Sequence, residues 1–489
     1  MSAVDWVLAA VAAVLAGGLV LRSVRRTRAA ITGWLNRSVV RAVHRFRVRI
    51  DRYKLVRKPV ILEDLLQDEQ VCVAMAAHAR AHGLADAEVR RHVERYVDEI
   101  VPHFSVFSYY KLGYNLARGL INVLYRATSE YQDVAALNAI PRRDVVVYLM
   151  NHRSNTDYVV VAYVLAEGVS ISYAVGEWAR VWPLEYVFKS FGAYFVRRGF
   201  REPLYHTVLE RYIQLITRNG VTQGIFLEGG LSRDGGFRAP KLGLLDYVAR
   251  TLTDPRFDRD IWLVPVALNY DRVLEDRTLI RELVDPENHP GRLRQLSTVV
   301  AYLFLNAVRF LTGNLKRYGR VAVNFGTPVS LRGWLRERPG TLTLEKADRL
   351  ARMQALAQEM MTHITEIMPV TPVPLVAAAL LSFRQSVVRR ADLLDRIEEY
   401  RSHLAEHGRK LVHPERDAEA VLQRAWRMFS MRRIVAREGL AYVIFPKQRP
   451  LLEYYANSIA HLLPHRHVDS GMHPALEPED SLPTLRSKE

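Results

Sequence analysis

A histidine and an aspartate, His152 and Asp157, stand just beyond a β-prone apolar run, Val145 to Met150, in the stretch Asn151-His152-Arg153-Ser154-Asn155-Thr156-Asp157-Tyr158. A neutral imidazole is available as a general base near neutral pH, its ordinary pKa being about 6.5. A carboxylate bonded to one ring nitrogen fixes the tautomer and leaves the other nitrogen to take a proton from a hydroxyl. No Ser or Cys nucleophile of the usual hydrolase kind accompanies the pair. The chemistry it suits is direct proton abstraction from a substrate alcohol. Positions five apart on one helix diverge, so the pair meets only if the chain bends, with His152 in a loop and Asp157 in the first turn of a helix. The same residues also fit a capping box from Ser154 to Asp157, in which the aspartate serves the helix start.

The elements that must position this pair alternate in type. From Pro141 onward, short β-prone runs are separated by helical stretches such as Pro203 to Arg218. The runs are Val145 to Met150, Tyr194 to Val196, Val221 to Leu227, Ile261 to Leu268 and Val321 to Phe325. Such alternation predicts an α/β layered domain over 141–335. Two segments follow strand-like runs with polar and glycine positions: Gly192 to Arg198, and Ile225-Phe226-Leu227-Glu228-Gly229-Gly230-Leu231-Ser232-Arg233. Active loops of open α/β folds gather beyond the carboxyl ends of strands.

Helical regions are expected on either side, over 29–140 and 336–465, with a polar tail over 466–489. Asp86 to Ile100, Leu116 to Tyr125, Leu344 to Ile367 and Ala391 to Glu406 all have helical spacing. The apolar stretch Leu375 to Phe383 is too short to span a bilayer and suits either an interfacial position or a core. The single cysteine, Cys72, is expected to be a small buried filler.

Over the 489 residues, 49% are hydrophobic, which excludes wholesale disorder. The formal net charge of +17 draws anions: nucleic acid, anionic lipid or phosphorylated substrates. There is no zinc-finger pattern, RNA-binding aromatic signature or Walker loop to favour nucleic acid. The 16 histidines are scattered, so no metal is expected. An apolar run from Trp6 to Leu21 is followed by Arg22, Arg25, Arg26 and Arg28. Residues 1–28 therefore read as a membrane anchor or embedded helix, with positive charge behind it keeping the bulk on the cytoplasmic side.

Four separated blocks resemble the glycerolipid acyltransferases, specifically the membrane-bound glycerol-3-phosphate acyltransferase family. They are the His152 to Asp157 segment, Gly192 to Arg198, Phe226 to Arg233, and Val264-Pro265-Val266-Ala267-Leu268-Asn269-Tyr270. Val323-Asn324-Phe325-Gly326-Thr327-Pro328 and Leu452-Glu453-Tyr454-Tyr455-Ala456-Asn457-Ser458 look like further family features, so the resemblance covers about residues 90 to 465. It implies a layered α/β acyltransferase domain with a mixed sheet, flanked by N-terminal and C-terminal helical regions.

The resemblance implies transfer of a fatty acyl chain from acyl-CoA or acyl carrier protein to the sn-1 hydroxyl of glycerol 3-phosphate. His152 and Asp157 are then the catalytic pair, with no cofactor beyond the thioester co-substrate. Arg197, Arg198 and Arg233 become candidates to grip the acceptor phosphate, with Lys241 a weaker one. Glu228 either orders its loop by accepting backbone hydrogen bonds or touches the glycerol hydroxyls. Gly229 and Gly230 either offer N–H groups to an oxyanion or only make the turn, and Ser232 completes the substrate-binding set. Anionic lipid at the cytoplasmic face of the cell membrane is an expected partner and nucleic acid is not. One position departs from the family: Leu231 stands where an arginine usually follows the paired glycines. Dihydroxyacetone phosphate, a lysophospholipid acceptor and a catalytically silent lipid-binding scaffold stay open as alternatives.

Overall fold

In a computed structural model of the chain, the described residues are 52–104, 114–165, 171–176, 180, 184–197, 199–284, 318–409, 411–412 and 417–464. The expected N-terminal anchor, the polar tail and Arg198 lie outside them. Contacts divide the chain into two compact units, residues 1–232 with 237–369, and 233–236 with 370–489. The helical region expected over 336–465 is thus divided at 369/370.

The first unit is built on an eight-stranded sheet. Its strands are β1 (Arg126–Tyr131), β2 (Val145–Met150), β3 (Ser172–Gly176), β4 (Tyr194–Val196), β5 (Gln223–Phe226), β6 (Ile261–Tyr270), β7 (Arg320–Phe325) and β8 (Val329–Ser330). The order is β1-β7-β6-β2-β5-β3-β4, with β8 on β6. Every pair is parallel except β6 with β7 and β6 with β8, so the sheet is mixed. β2 lies in the middle and reads as an unbroken apolar run, as a strand covered on both faces must. Its last residue, Met150, is level with Phe226 of β5 and Val266 of β6. β6 runs on for four more residues and carries Tyr270 past the end of β2.

The helix Asp157–Leu165 follows β2 despite a Val-rich sequence of low helix propensity. Burial of Tyr158, Val160, Val161 and Leu165 overrides that local preference. The helix Pro203–Arg218 has proline in its first turn, Glu202 at its N-cap, and an apolar face of Leu204, Val208, Leu209, Ile213 and Ile216 against the core. The stretch 29–140, expected to be helical, also supplies β1, an outer strand paired in parallel with β7. Cys72 is exposed, not a buried filler. Its helix, Glu69–His82, buries Val71 and His78, and a helix turns about 100° per residue, which carries position 72 off that face.

The second unit centres on the helix Pro372–Leu381, whose ten residues are all buried. The apolar stretch beginning at Leu375 is therefore core. Helices Arg390–Glu406, Ala418–Arg432 and Arg449–Asn457 belong to the same unit. So does a three-stranded antiparallel sheet of β9 (Val387–Arg389), β10 (Val435–Glu438) and β11 (Ala441–Ile444). The short segment 233–236 is held here by the Leu452 to Ser458 motif. Asn457 Nδ2 donates to the Asp234 carbonyl at 2.9 Å. Gly235 has φ +81°, and a Cβ there would stand 1.8 Å from the Tyr454 carbonyl oxygen, so only glycine fits. No helix among the described residues is long and apolar enough to cross a membrane.

Candidate active site

The chain bends after Met150 and restarts as a helix at Asp157, which brings the dyad together. His152 Nδ1 lies 2.9 Å from Asp157 Oδ2. The same oxygen accepts the backbone N–H groups of Arg153 at 2.7 Å and Ser154 at 3.0 Å. The other oxygen, Oδ1, accepts the Tyr270 hydroxyl at 2.5 Å. Asp157 is the acceptor in all four contacts, so Nδ1 carries the ring proton and the lone pair falls on Nε2. The structural and chemical readings of Asp157 are therefore one arrangement: it shapes the loop with the contacts that also orient the imidazole.

The loop is tied on every side. Asn151 bonds both ways to the Leu268 backbone, its Oδ1 accepting at 2.8 Å and its Nδ2 donating at 3.0 Å, which extends the β2–β6 pairing by one side chain. Ser154 Oγ donates to Glu275 at 2.7 Å and accepts the Thr156 N–H at 3.1 Å. Burial pushes the Glu275 carboxyl up to about 7. The His152 ring stacks on Phe226, 4.0 Å between centroids, with the Tyr158 ring edge-on to both. Only 1% of the His152 side chain is exposed.

The loop after β5 is locked to the first by Glu228. One carboxylate oxygen accepts the His152 N–H and the other the Arg238 N–H, both at 3.1 Å. Burial pushes this carboxyl up to about 7, against the opposing pull of those two N–H donors. Of the two roles open to Glu228, the geometry displays loop ordering. Gly229 has φ +65° and donates its N–H to the Phe226 carbonyl at 3.0 Å, so that group closes the turn. Gly230 is buried, and Ser232, also buried, donates its N–H to the His152 carbonyl at 3.0 Å. Lys241 is exposed.

The basic candidates separate. Arg197 presents its fork to Glu99, Nε at 2.7 Å and Nη2 at 2.5 Å, and Arg180 shares that carboxylate at 2.8 Å. The Arg197 guanidinium also lies 4.6 Å from the centroid of the Phe200 ring. Arg233 is exposed and belongs with the second unit. Sequence reasoning did not assign Tyr270, Glu275, Phe226 or Glu99. Tyr270 closes the fourth block, and that placement was the one available signal for it.

Residues 133–269 match the family model described as Acyltransferase, and residues 304–466 the model described as Glycerol-3-phosphate acyltransferase C-terminal region. A glycerol-3-phosphate acyltransferase of Aeromonas hydrophila subsp. hydrophila is 29% identical over 420 residues, and one of Actinobacillus succinogenes 28% over 430 residues. Each alignment covers 84% of this chain and 50% of the relative. The chain spans about half the length of the curated relatives it matches. A solved 1-acyl-sn-glycerophosphate (LPA) acyltransferase, PlsC from Thermotoga maritima, is 14% identical, covers 63% of this chain and 94% of its own, and superposes with a TM-score of 0.30, too loosely to argue from. An acyltransferase match thus surrounds the dyad, and a match to the glycerol-3-phosphate acyltransferase C-terminal region follows it.

Proposed function

We propose that the protein moves a fatty acyl chain from acyl-CoA or acyl carrier protein to the sn-1 hydroxyl of glycerol 3-phosphate, giving a lysophosphatidate. The observation that carries this reading is the 2.9 Å His152–Asp157 contact inside the acyltransferase-matching segment. His152 Nε2 takes the hydroxyl proton, the oxygen attacks the thioester carbonyl, and the imidazolium returns its proton to the departing thiol. The thioester is already activated, so no acyl-enzyme is needed. The ring is almost wholly covered, so an acceptor reaches Nε2 only when its cover opens. The Gly230 N–H is the remaining glycine donor for the oxyanion, since that of Gly229 closes the turn.

In this reading Arg198 and Arg233 grip the acceptor phosphate. Arg197 joins them only where phosphate displaces Glu99. The reaction uses neither metal nor cofactor. The product partitions into lipid, and the charge of +17 suits an anionic surface, so we place the protein at the cytoplasmic face of the cell membrane with lipid, not nucleic acid, as its partner. Leu231 favours a second reading in which the acceptor is dihydroxyacetone phosphate or a lysophospholipid.

An acceptor panel tests the proposal: purified protein, one acyl-CoA, and thiol release measured with glycerol 3-phosphate, dihydroxyacetone phosphate or lysophosphatidate. Fastest release with glycerol 3-phosphate is expected. Preference for another acceptor moves the assignment to the second reading, and no release with any of them makes the protein a silent scaffold.

A further inference from the structure

We propose that His78, His82 and Glu202 form a binding site for a zinc-class divalent ion. His78 and His82 are one turn apart at the end of the helix Glu69–His82, so they share a face. Glu202 is the N-cap of the helix Pro203–Arg218. One donor atom from each of the three residues lies within 4.8 Å of the others. The rings of His78 and His82 are 4.4 Å apart between centroids.

The second observation is inside His78 itself. Its side chain is 7% exposed, and Nδ1 lies 3.1 Å from Glu202 Oε1. The other nitrogen, Nε2, is buried and has no hydrogen-bond partner. With the proton on Nε2, the Nδ1 lone pair faces the Glu202 carboxylate, an arrangement that a cation between the two relieves. The 3.1 Å separation is close to the spacing of two donors on one tetrahedral ion. Zinc binds imidazole nitrogen and carboxylate oxygen at about 2.0–2.2 Å, which sets donors on one tetrahedral ion about 3.3 Å apart. Donors no more than 4.8 Å apart reach that spacing by side-chain rotation. His82 is exposed and free to make it, with water filling the remaining position. Sequence spacing hid the site because the carboxylate comes from a distant helix cap. An ion here would clip the helix Glu69–His82 to the start of the helix that follows β4.

The test uses the full chain, stripped with chelator and titrated with ZnCl2 and, separately, MgCl2, while bound metal and melting temperature are recorded. His82→Ala is the informative variant, because that side chain is exposed and its loss leaves the fold intact. Relative to wild type, H82A should bind one zinc fewer per chain and lose most of the zinc-induced rise in melting temperature. Magnesium should have no effect on either protein. The double variant H403A/H407A removes a second His-rich cluster among the described residues, at His403, Glu406 and His407, and should keep the wild-type response at this site. Zinc uptake by H82A equal to wild type, no zinc uptake by wild type, or a response lost only in H403A/H407A would each overturn the proposal.

Discussion

The loop after β2 and the loop after β5 are neighbours at the end of one sheet, yet they are built differently. In the first, Asn151, His152, Arg153, Ser154 and Asp157 are all buried, and Asp157 alone collects four donors. In the second, Glu228, Gly230 and Ser232 are buried, but Arg233 and Asp234 are exposed and belong to the other compact unit. The base is thus held by a rigid frame, while a candidate phosphate contact is carried by a segment whose backbone is fixed by Asn457 and by the close approach at Gly235. Such a division predicts that damage to the first loop shows in turnover and damage to the second in acceptor affinity.

The largest effect should come from the dyad. His152→Ala should lower kcat by about 10²–10⁴-fold, the range general-base groups contribute, with melting and lipid association unchanged. Asp157→Asn should cost as much as about 10⁴-fold, because the amide no longer fixes the tautomer or balances the imidazolium. Near-normal turnover in either would erase the contrast between the loops.

A smaller effect is expected from Tyr270→Phe. It removes the hydroxyl from Asp157 Oδ1, and a hydrogen bond to a charged group contributes about 1.5–3 kcal/mol. A drop in kcat of about tenfold or more, with KM values unchanged and the pH–rate profile displaced, marks a positioning role. Unchanged kcat and an unmoved profile would reduce Tyr270 to a packing residue. Arg233→Ala should raise KM for the acceptor by about tenfold, the scale of losing one charged hydrogen bond, and leave KM for the thioester alone. Equal changes in both would make that arginine structural.

The smallest effect is a pH dependence at the seam between the loops. Glu228 is raised from an ordinary 4.5 to about 7 in the fold, so it favours the folded state fully below about 4.5, and that contribution is lost as pH rises through about 7. Glu228→Gln lacks this titration. Its melting temperature relative to wild type should therefore climb between about pH 5 and about pH 8. A constant difference across that range would mean the carboxyl is not raised.

Legibility in the sequence followed contact range. The bend between His152 and Asp157 could be read because both partners lie in one short segment. The helices Asp86–Ile100 and Pro203–Arg218 and the strands β2 and β4 could be read because their apolar patterns are local. β1 and β3 could not: Arg126–Tyr131 carries charged and hydroxyl residues on an outer strand, and Ser172–Gly176 is short. The supports of the site were equally hidden. Tyr270 reaches Asp157 across 113 positions and Arg197 meets Glu99 across 98, and no local pattern announces such pairs. Arg197 shows the consequence: its position at a strand end suggested an anion, and the fold supplies that anion from its own chain.

Direct transfer is tested by mixing wild-type protein with acyl-CoA, first without acceptor and then with glycerol 3-phosphate, while following thiol release and the mass of the protein. Thiol should appear only after the acceptor is added, and the protein mass should stay unchanged throughout. A stoichiometric burst of thiol with a protein heavier by one acyl group, before any acceptor is present, would contradict proton abstraction from the alcohol by the His152–Asp157 pair as the first chemical step.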